Sequence, residues 1–192
     1  MNPPKLRASD ALLIVDVQRD FCPGGALAVP DGDAVVPVLN RWIDAAHAAG
    51  AAVFASRDWH PPDHVSFQEQ GGPWPSHCVA ETDGAGFHRN LALPDSATVI
   101  DKGTDAGHEA YSAFEGTDLD AQLRAAGIER LWVGGLALDY CVRASVLDAR
   151  RIVGLPVHLI LSATRAVEVQ PGDGSRALDD MRSAGAVTDD VS

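Results

Sequence analysis

Leu131-Trp-Val-Gly-Gly-Leu-Ala-Leu-Asp-Tyr-Cys-Val142 is the stretch from which the fold of this chain can be read. It opens as a short apolar run, bends through Gly134 and Gly135, and takes on helical character from Asp139 to Arg150. Asp139 is the expected N-cap, since its carboxylate can accept one of the free N–H groups of the first turn. Cys141 then stands at the mouth of a helix, where the partial positive charge favours thiolate, the form a cysteine nucleophile needs. Taken alone, the same cysteine reads more readily as small core filler, because free cysteine is among the most buried residue types.

Working outward, the neighbouring segments repeat the strand-to-helix alternation. Ala11-Leu-Leu-Ile-Val15 is a continuous apolar run, the mark of a strand buried on both faces. Asp33 is positioned to cap a helix from Ala34 to Ala49, which carries Val35, Val38, Leu39, Trp42 and Ile43 at helical spacing and stops at Gly50. Ala51–Ser56 is the second strand, and Arg57–Ala97 is a long segment rich in Pro, Gly and His, of the kind that tends to be functional. Thr98–Asp101, Arg130–Val133 and Val157–Ser162 give three further strands, with a helix Asp118–Ala126 between the first two of them. A last helix, Ser175–Ser183, precedes a short edge strand at Ala186–Thr188. The pattern is α/β, a mainly parallel sheet between helices in three α-β-α layers, with residues 1–192 read as a single domain.

Composition narrows the function. The formal charge of −12, with no basic stripe, argues against nucleic acid and anionic membranes as partners. Three scattered cysteines, Cys22, Cys78 and Cys141, suit a reducing compartment and make no disulfide framework. No apolar stretch precedes Ala11 and none later reaches membrane-spanning length, so the expectation is a cytoplasmic protein with a small-molecule substrate.

In parallel sheets the ligand sits beyond the carboxyl ends of the strands. Asp16 follows the first strand, Asp58 and His60 the second, Lys102 the third and Cys141 the fourth. Cys141, Asp16 and Lys102 offer a nucleophile, a proton carrier and a cation; the ammonium would favour thiolate, and the carboxylate could carry the proton that the thiol loses. Asp58 and His60, two apart in extended chain, can face one ion, and His64 and His77 lie in the same long segment. Two imidazoles and a carboxylate suit Zn²⁺ or Fe²⁺ with positions left open. Phe21 and Trp74, close in sequence to these groups, could stack on a flat ring or serve as packing.

The motifs Ile14-Val-Asp-Val-Gln-Arg-Asp-Phe21, Arg57-Asp-Trp-His-Pro-Pro-Asp-His-Val-Ser-Phe67, Pro73-Trp-Pro-Ser-His-Cys-Val79, Lys102-Gly-Thr104 and Val133-Gly-Gly-Leu-Ala-Leu-Asp-Tyr-Cys-Val142 together resemble the nicotinamidase/pyrazinamidase branch of the isochorismatase-like hydrolases. The resemblance runs from about Ala11 to the last helix. It implies a six-stranded parallel sheet, a catalytic triad of Cys141, Asp16 and Lys102, and a metal held by Asp58, His60 and His77, with the histidine matching His64 a further ligand in some relatives. It also implies a cis peptide at Leu136–Ala137, an oxyanion hole from the N–H groups of Ala137 and Cys141, and a substrate ring between Phe21 and Trp74. Two positions depart from the pattern: Leu138 stands where the family usually has Thr, and Ala80-Glu81 replaces a common Gln-Gly.

The activity so implied is metal-dependent hydrolysis of nicotinamide, and of pyrazinamide, to the acid and ammonia through a cysteine thioester, a step of pyridine nucleotide biosynthesis. Zinc, iron and manganese all suit the donors, and a homo-oligomer is left open. Two alternatives stand beside it. One is an amidase of the N-carbamoylsarcosine or maleamate type, which shares the Asp, Lys and Cys but lacks the metal set. The other is a metal-stabilised binding module, which has no need of Asp16, Lys102 and Cys141 together.

Overall fold

The computed structural model describes residues 3–188. Six strands form one parallel sheet: β1 (Asp10–Val15), β2 (Ala52–Asp58), β3 (Thr98–Lys102), β4 (Arg130–Leu136), β5 (Val157–Arg165) and β6 (Val187–Thr188), in the order β3-β2-β1-β4-β5-β6. The helices are α1 (Val36–Ala49), α2 (Leu119–Ala125), α3 (Arg143–Asp148) and α4 (Asp173–Ser183); π-type turns, Leu138–Val142 and Ala149–Val153, extend α3 at both ends.

Alternation along β1 makes the layers. Leu12 and Ile14 point into a core shared with α1 through Leu39, Trp42, Ile43 and Ala46. Ala11, Leu13 and Val15 point into the opposite core, which takes Leu119 and Leu123 of α2, Val146 of α3 and Met181 of α4. Every residue of β1 is buried, which is why its sequence shows no polar alternation. Each leucine or isoleucine so covered contributes about 1.5–3 kcal/mol. Among the described residues no helix is long and apolar enough to cross a membrane.

Several boundaries differ from the sequence reading: β2 runs on to Asp58, β5 to Arg165, and α4 begins at Asp173. The strand read as ending at Val133 continues through both glycines to Leu136. Gly135 has φ 132°, and a Cβ there would lie 2.0 Å from the Val15 carbonyl oxygen, so the pair lets β4 close on β1 instead of leaving the sheet. Asp33 does not cap α1: it sits inside a 3₁₀ turn, Gly32–Val35, that leads into the helix, and Pro37 occupies the first turn. The helix read as Asp118–Ala126 spans Leu119–Ala125, with Asp118 and Ala126 at its two cap positions.

The chain order reverses between β1 and β4, which sit side by side. The β1 turn and the β4–α3 turn therefore diverge from neighbouring strand ends and leave a crevice at the carboxyl edge.

Candidate active site

The site is built from the ends of β1–β4. Asp16 follows β1 directly in the left-handed region (φ 49°), a conformation aspartate accepts more readily than most residues. Ser56 of β2 donates its hydroxyl to Asp16 Oδ1 at 2.7 Å. Asp58 closes β2 and Lys102 closes β3, and the sheet register pairs the two. Lys102, buried, places Nζ 3.0 Å from Asp16 Oδ2, 2.5 Å from Asp58 Oδ1, 3.0 Å from the Ala110 carbonyl and 3.5 Å from Cys141 Sγ. Three ammonium protons thus face four acceptors.

That competition sets the charges. Burial works against the ammonium, but Asp16 and Asp58 hold Lys102 well above its ordinary pKa. Burial likewise opposes ionisation of Asp58, yet Lys102 and His60 outweigh it and keep the carboxyl far below the usual range. Asp16 goes the other way: burial and the neighbouring Asp58 charge exceed the pull of Lys102, and its pKa is raised. Burial also pushes Cys141 well up, with Lys102 opposing and both carboxylates adding to the rise. The expectation of a stored thiolate is therefore corrected. The resting group is a thiol, because one shared ammonium does not offset complete desolvation and two nearby carboxylates.

The turn carrying Cys141 also differs in detail. Ala137, in extended conformation, occupies the N-cap position, and the Leu136–Ala137 peptide is cis. The N–H groups of Tyr140 and Val142 both donate to the Ala137 carbonyl at 3.1 Å, with Cys141 between them. Asp139 is no cap. Its two oxygens accept the N–H groups of Val167 and Glu168 at 2.9 Å each, tying the segment after β5 to this turn.

Asp58, His60 and His77 form a second, overlapping group, all buried, with one ligand atom of each within 4.8 Å of the others. His60 Nδ1 lies 2.9 Å from the Gly103 carbonyl and His77 Nδ1 2.8 Å from that of Pro75. A carbonyl only accepts, so both rings carry their proton on Nδ1 and leave the Nε2 lone pair free for a metal. Burial pulls both imidazoles toward neutrality; in His77 it prevails, whereas in His60 the Asp58 carboxylate reverses it and the pKa is raised. Gly103 has φ 62°, and a Cβ there would meet His60 Cε1 at 2.5 Å, so the ring and its acceptor can approach only because this residue is glycine. His64 is brought next to this group, stacked on His60 at 4.0 Å. Its Nδ1 is 2.8 Å from Ser66 Oγ and its Nε2 3.0 Å from the His108 carbonyl, so both nitrogens face protein partners.

The two groups share Asp58, which sequence alone did not reveal. Asp58 Oδ1 faces Lys102 while Oδ2 faces His60 Nε2 at 3.6 Å. Gln18, wholly buried, clamps the Asp58 backbone as a peptide would: its amide donates to the Asp58 carbonyl and its oxygen accepts the Asp58 N–H, both at 2.8 Å. Gln18 and Ser56 gave no signal of their own in the sequence, since their partners lie 40 residues away. Gly103 was visible only as the neighbour of Lys102.

Above these groups opens a small pocket lined by Cys141, His77, Asp58 and Ala137. Phe21 and Trp74 both line it. Tyr111 and Tyr140, not singled out in the sequence, line it too: Trp74 donates its indole N–H to the Tyr111 hydroxyl at 3.0 Å and packs edge-on to Tyr140 at 5.2 Å.

The Isochorismatase domain family matches residues 10–191. The chain is 44% identical to the nicotinamidase of Escherichia coli over 92% of each sequence. The crystal structure of the pyrazinamidase of Pyrococcus horikoshii in complex with zinc is similar at a TM-score of 0.89 and 48% identity, over 94% of this chain and 98% of that one. PnC1 of L. infantum in complex with nicotinate is similar at a TM-score of 0.87 and 34% identity, over 98% and 96%. With a family match that takes in all six strands and relatives aligned over nine-tenths of their length, the chain belongs to the isochorismatase family.

Proposed function

We propose that the chain is an amidohydrolase that converts nicotinamide to nicotinate and ammonia through a thioester on Cys141. The observation that carries this reading is the shared Lys102. It joins a buried thiol, a carboxylate of raised pKa and a carboxylate of the metal-type cluster within 3.5 Å of one ammonium, at the base of an aromatic-lined pocket. That cluster is also what favours a nicotinamidase over an N-carbamoylsarcosine- or maleamate-type amidase.

In this reading the ring lies between Phe21 and Trp74 with its carboxamide over Cys141. As Sγ attacks the carboxamide carbon, Asp16 takes the thiol proton, a task suited to a carboxylate whose pKa burial has lifted. The N–H groups of Ala137 and Cys141 donate to the oxyanion. When the C–N bond breaks, Asp16 returns that proton to the departing nitrogen and ammonia leaves. Water then attacks the thioester with Asp16 again as base, the C–S bond breaks, and the thiol recovers its proton. Lys102 stays cationic throughout and limits the cost of moving negative charge between Asp16 and Cys141.

Asp58, His60 and His77 would hold a divalent ion: the preset tautomers of both rings and the low pKa of Asp58 are what a ligand set requires. Zinc or iron fits these donors, and manganese is compatible with them. When bound, the ion supplies a Lewis-acidic anchor for the ring nitrogen. His64, with both nitrogens engaged, is assigned to holding His60 and not to the ligand set.

The test is ammonia release by the purified, metal-loaded protein. Nicotinamide should be hydrolysed, and benzamide, which lacks the ring nitrogen, should be slower by ~10²-fold or more, since a site built for that nitrogen is left unsatisfied without it. His77→Ala should lose metal and turnover while Cys141 still reacts with small alkylating agents. Equal rates on the two amides would remove the anchoring role of the ion, and no ammonia from either would remove the amidase.

A further inference from the structure

One group on the pocket wall has no part in the mechanism above. Glu109 lines the pocket together with Tyr111 and Cys141. It is half-buried, its Oε1 accepts only the neighbouring Ala110 N–H at 3.1 Å, and no ion pair joins it to a lysine, arginine or histidine among the described residues. The other acids of the site are differently placed. Asp16 and Asp58 both lean on Lys102, at 3.0 and 2.5 Å, so each has a cation in contact. Beside the His77 imidazole, the Cys141 thiol and the two tyrosines, the wall is carbon surface from Phe21, Leu27, Val29, Trp74 and Val167. Glu109 is thus an acidic side chain without an ion-pair partner beside carbon surface of the pocket wall, and such surface screens a charge less than open water does. Tyr111, two residues on and in the same wall, has its pKa pushed up to about 12, first by burial, against the Trp74 N–H, with Glu109 and Cys141 adding to the rise.

The reaction proposed above gives such a charge something to act on, because it changes the charge of what occupies the pocket. The substrate is a neutral carboxamide; the product is a carboxylate. A fixed anion on the wall leaves the first almost untouched and repels the second. We infer that Glu109 is a specificity-determining residue that discriminates by charge, weakening the hold of the pocket on its own carboxylate product and on aromatic acids generally relative to neutral carboxamides. This inference rests on the nicotinamidase reading. Glu109 touches none of the reacting atoms; its effect is on which occupant the pocket retains.

The experiment compares metal-loaded wild type, Glu109→Gln and Glu109→Asp in initial-rate ammonia release from nicotinamide, with nicotinate added as inhibitor, at low and high salt. In Glu109→Gln the ratio of the nicotinate inhibition constant to the nicotinamide KM should fall about fivefold, the size of one partly screened like-charge contact. Glu109→Asp, which keeps the charge, should stay near the wild-type ratio. The gap between wild type and Glu109→Gln should narrow in high salt, which a packing change would not do. An unchanged ratio, or nicotinate and nicotinamide tightening by the same factor, overturns the inference while leaving the amidase intact. A wild type that releases no ammonia from nicotinamide removes the functional reading, and the inference with it, before any variant is compared.

Discussion

The two ends of the β1–β4 pair each bury an aspartate, and they treat it in opposite ways. At the amino edge Asp10 has a guanidinium to itself: Arg130 grips it in a fork at 2.9 and 2.5 Å, and the Arg7 N–H adds a bond at 2.9 Å. Burial raises its pKa, but these partners more than offset that and hold it below the ordinary aspartate value. At the carboxyl edge Asp16 shares one ammonium with Asp58, the Ala110 carbonyl and a thiol, and its pKa is raised. Two things separate them: Asp16 lies deeper in the protein, so desolvation weighs more on it, and the one cation it touches is shared. A carboxylate with a dedicated bidentate partner is held ionised; one that lies deeper and competes for a shared cation is held less firmly as the ion.

The sharpest break of that comparison is at Cys141, the proposed nucleophile, which shares the same cation. Cys141→Ala should reduce ammonia release by at least ~10⁴-fold while leaving fold and metal content in place, because no neighbouring group replaces the sulfur. Cys22→Ala and Cys78→Ala, which alter buried cysteines outside the triad, should keep most activity. Substantial turnover in Cys141→Ala, measured with metal-loaded protein free of wild type, would end the covalent mechanism.

Next in size is the exchange of the two aspartates. Asp16→Asn should cost ~10³-fold in rate by removing the proton carrier, with little loss of stability. Asp10→Asn should do the reverse, losing about 2 kcal/mol of stability after discounting for the partly exposed Arg130, with normal turnover per folded molecule. Thermal unfolding and initial rates measured on both variants decide the matter. If Asp10→Asn lost rate instead of stability, the contrast between the edges would be wrong.

The elements legible from sequence were those whose cause is local. β1 reads as buried because all six of its residues are apolar or satisfied in place, and the order of polar residues after each strand follows from the parallel sheet. The grouping of Asp16, Asp58, Lys102 and Cys141 was visible for that reason. What was hidden depends on partners distant in sequence. Asp139 looks like a cap in isolation and instead binds the backbone at Val167 and Glu168, 28 and 29 residues on. The thiolate expected at a helix mouth gives way to a thiol once the burial of Cys141 and both nearby carboxylates are counted. Gly134 and Gly135 read as a bend because glycine usually breaks a strand; only the close approach of Val15 to Gly135, and of Ala163 and Leu39 to Gly134, shows why they extend one here.

A smaller effect probes the shared cation directly. Lys102 is the one group that lowers the Cys141 pKa among its leading influences. Lys102→Met should therefore leave less thiolate near neutral pH and slow iodoacetamide labelling of Cys141 by roughly tenfold. The labelling profile should move to higher pH without changing its plateau. Identical kinetics across the whole pH range would take Lys102 out of the triad and reduce it to a strut between β2 and β3.

The smallest effect is a pair of opposite slopes, and it sharpens the comparison most. The folded pKa of Asp10 is depressed, so its contribution to stability is fully present above the unfolded value near 3.8 and is lost as pH falls through the lower folded value. The folded pKa of Asp16 is raised, so its contribution is fully present below 3.8 and is lost as pH rises through the higher folded value. Substitution by Asn removes each dependence in turn. The stability gap between wild type and Asp10→Asn should shrink on acidification below about pH 3.8, as the wild type gives up the Arg130 pairing. The gap between wild type and Asp16→Asn should behave in mirror image, with the variant gaining on the wild type as pH rises above 3.8, since an amide avoids the cost of an ion in that place. Urea unfolding midpoints across this range, with metal held constant so that ligand linkage does not add its own slope, read both gaps. Parallel slopes for the two variants would mean that the edges treat their aspartates alike, and the proton-carrying role of Asp16 would lose its electrostatic basis.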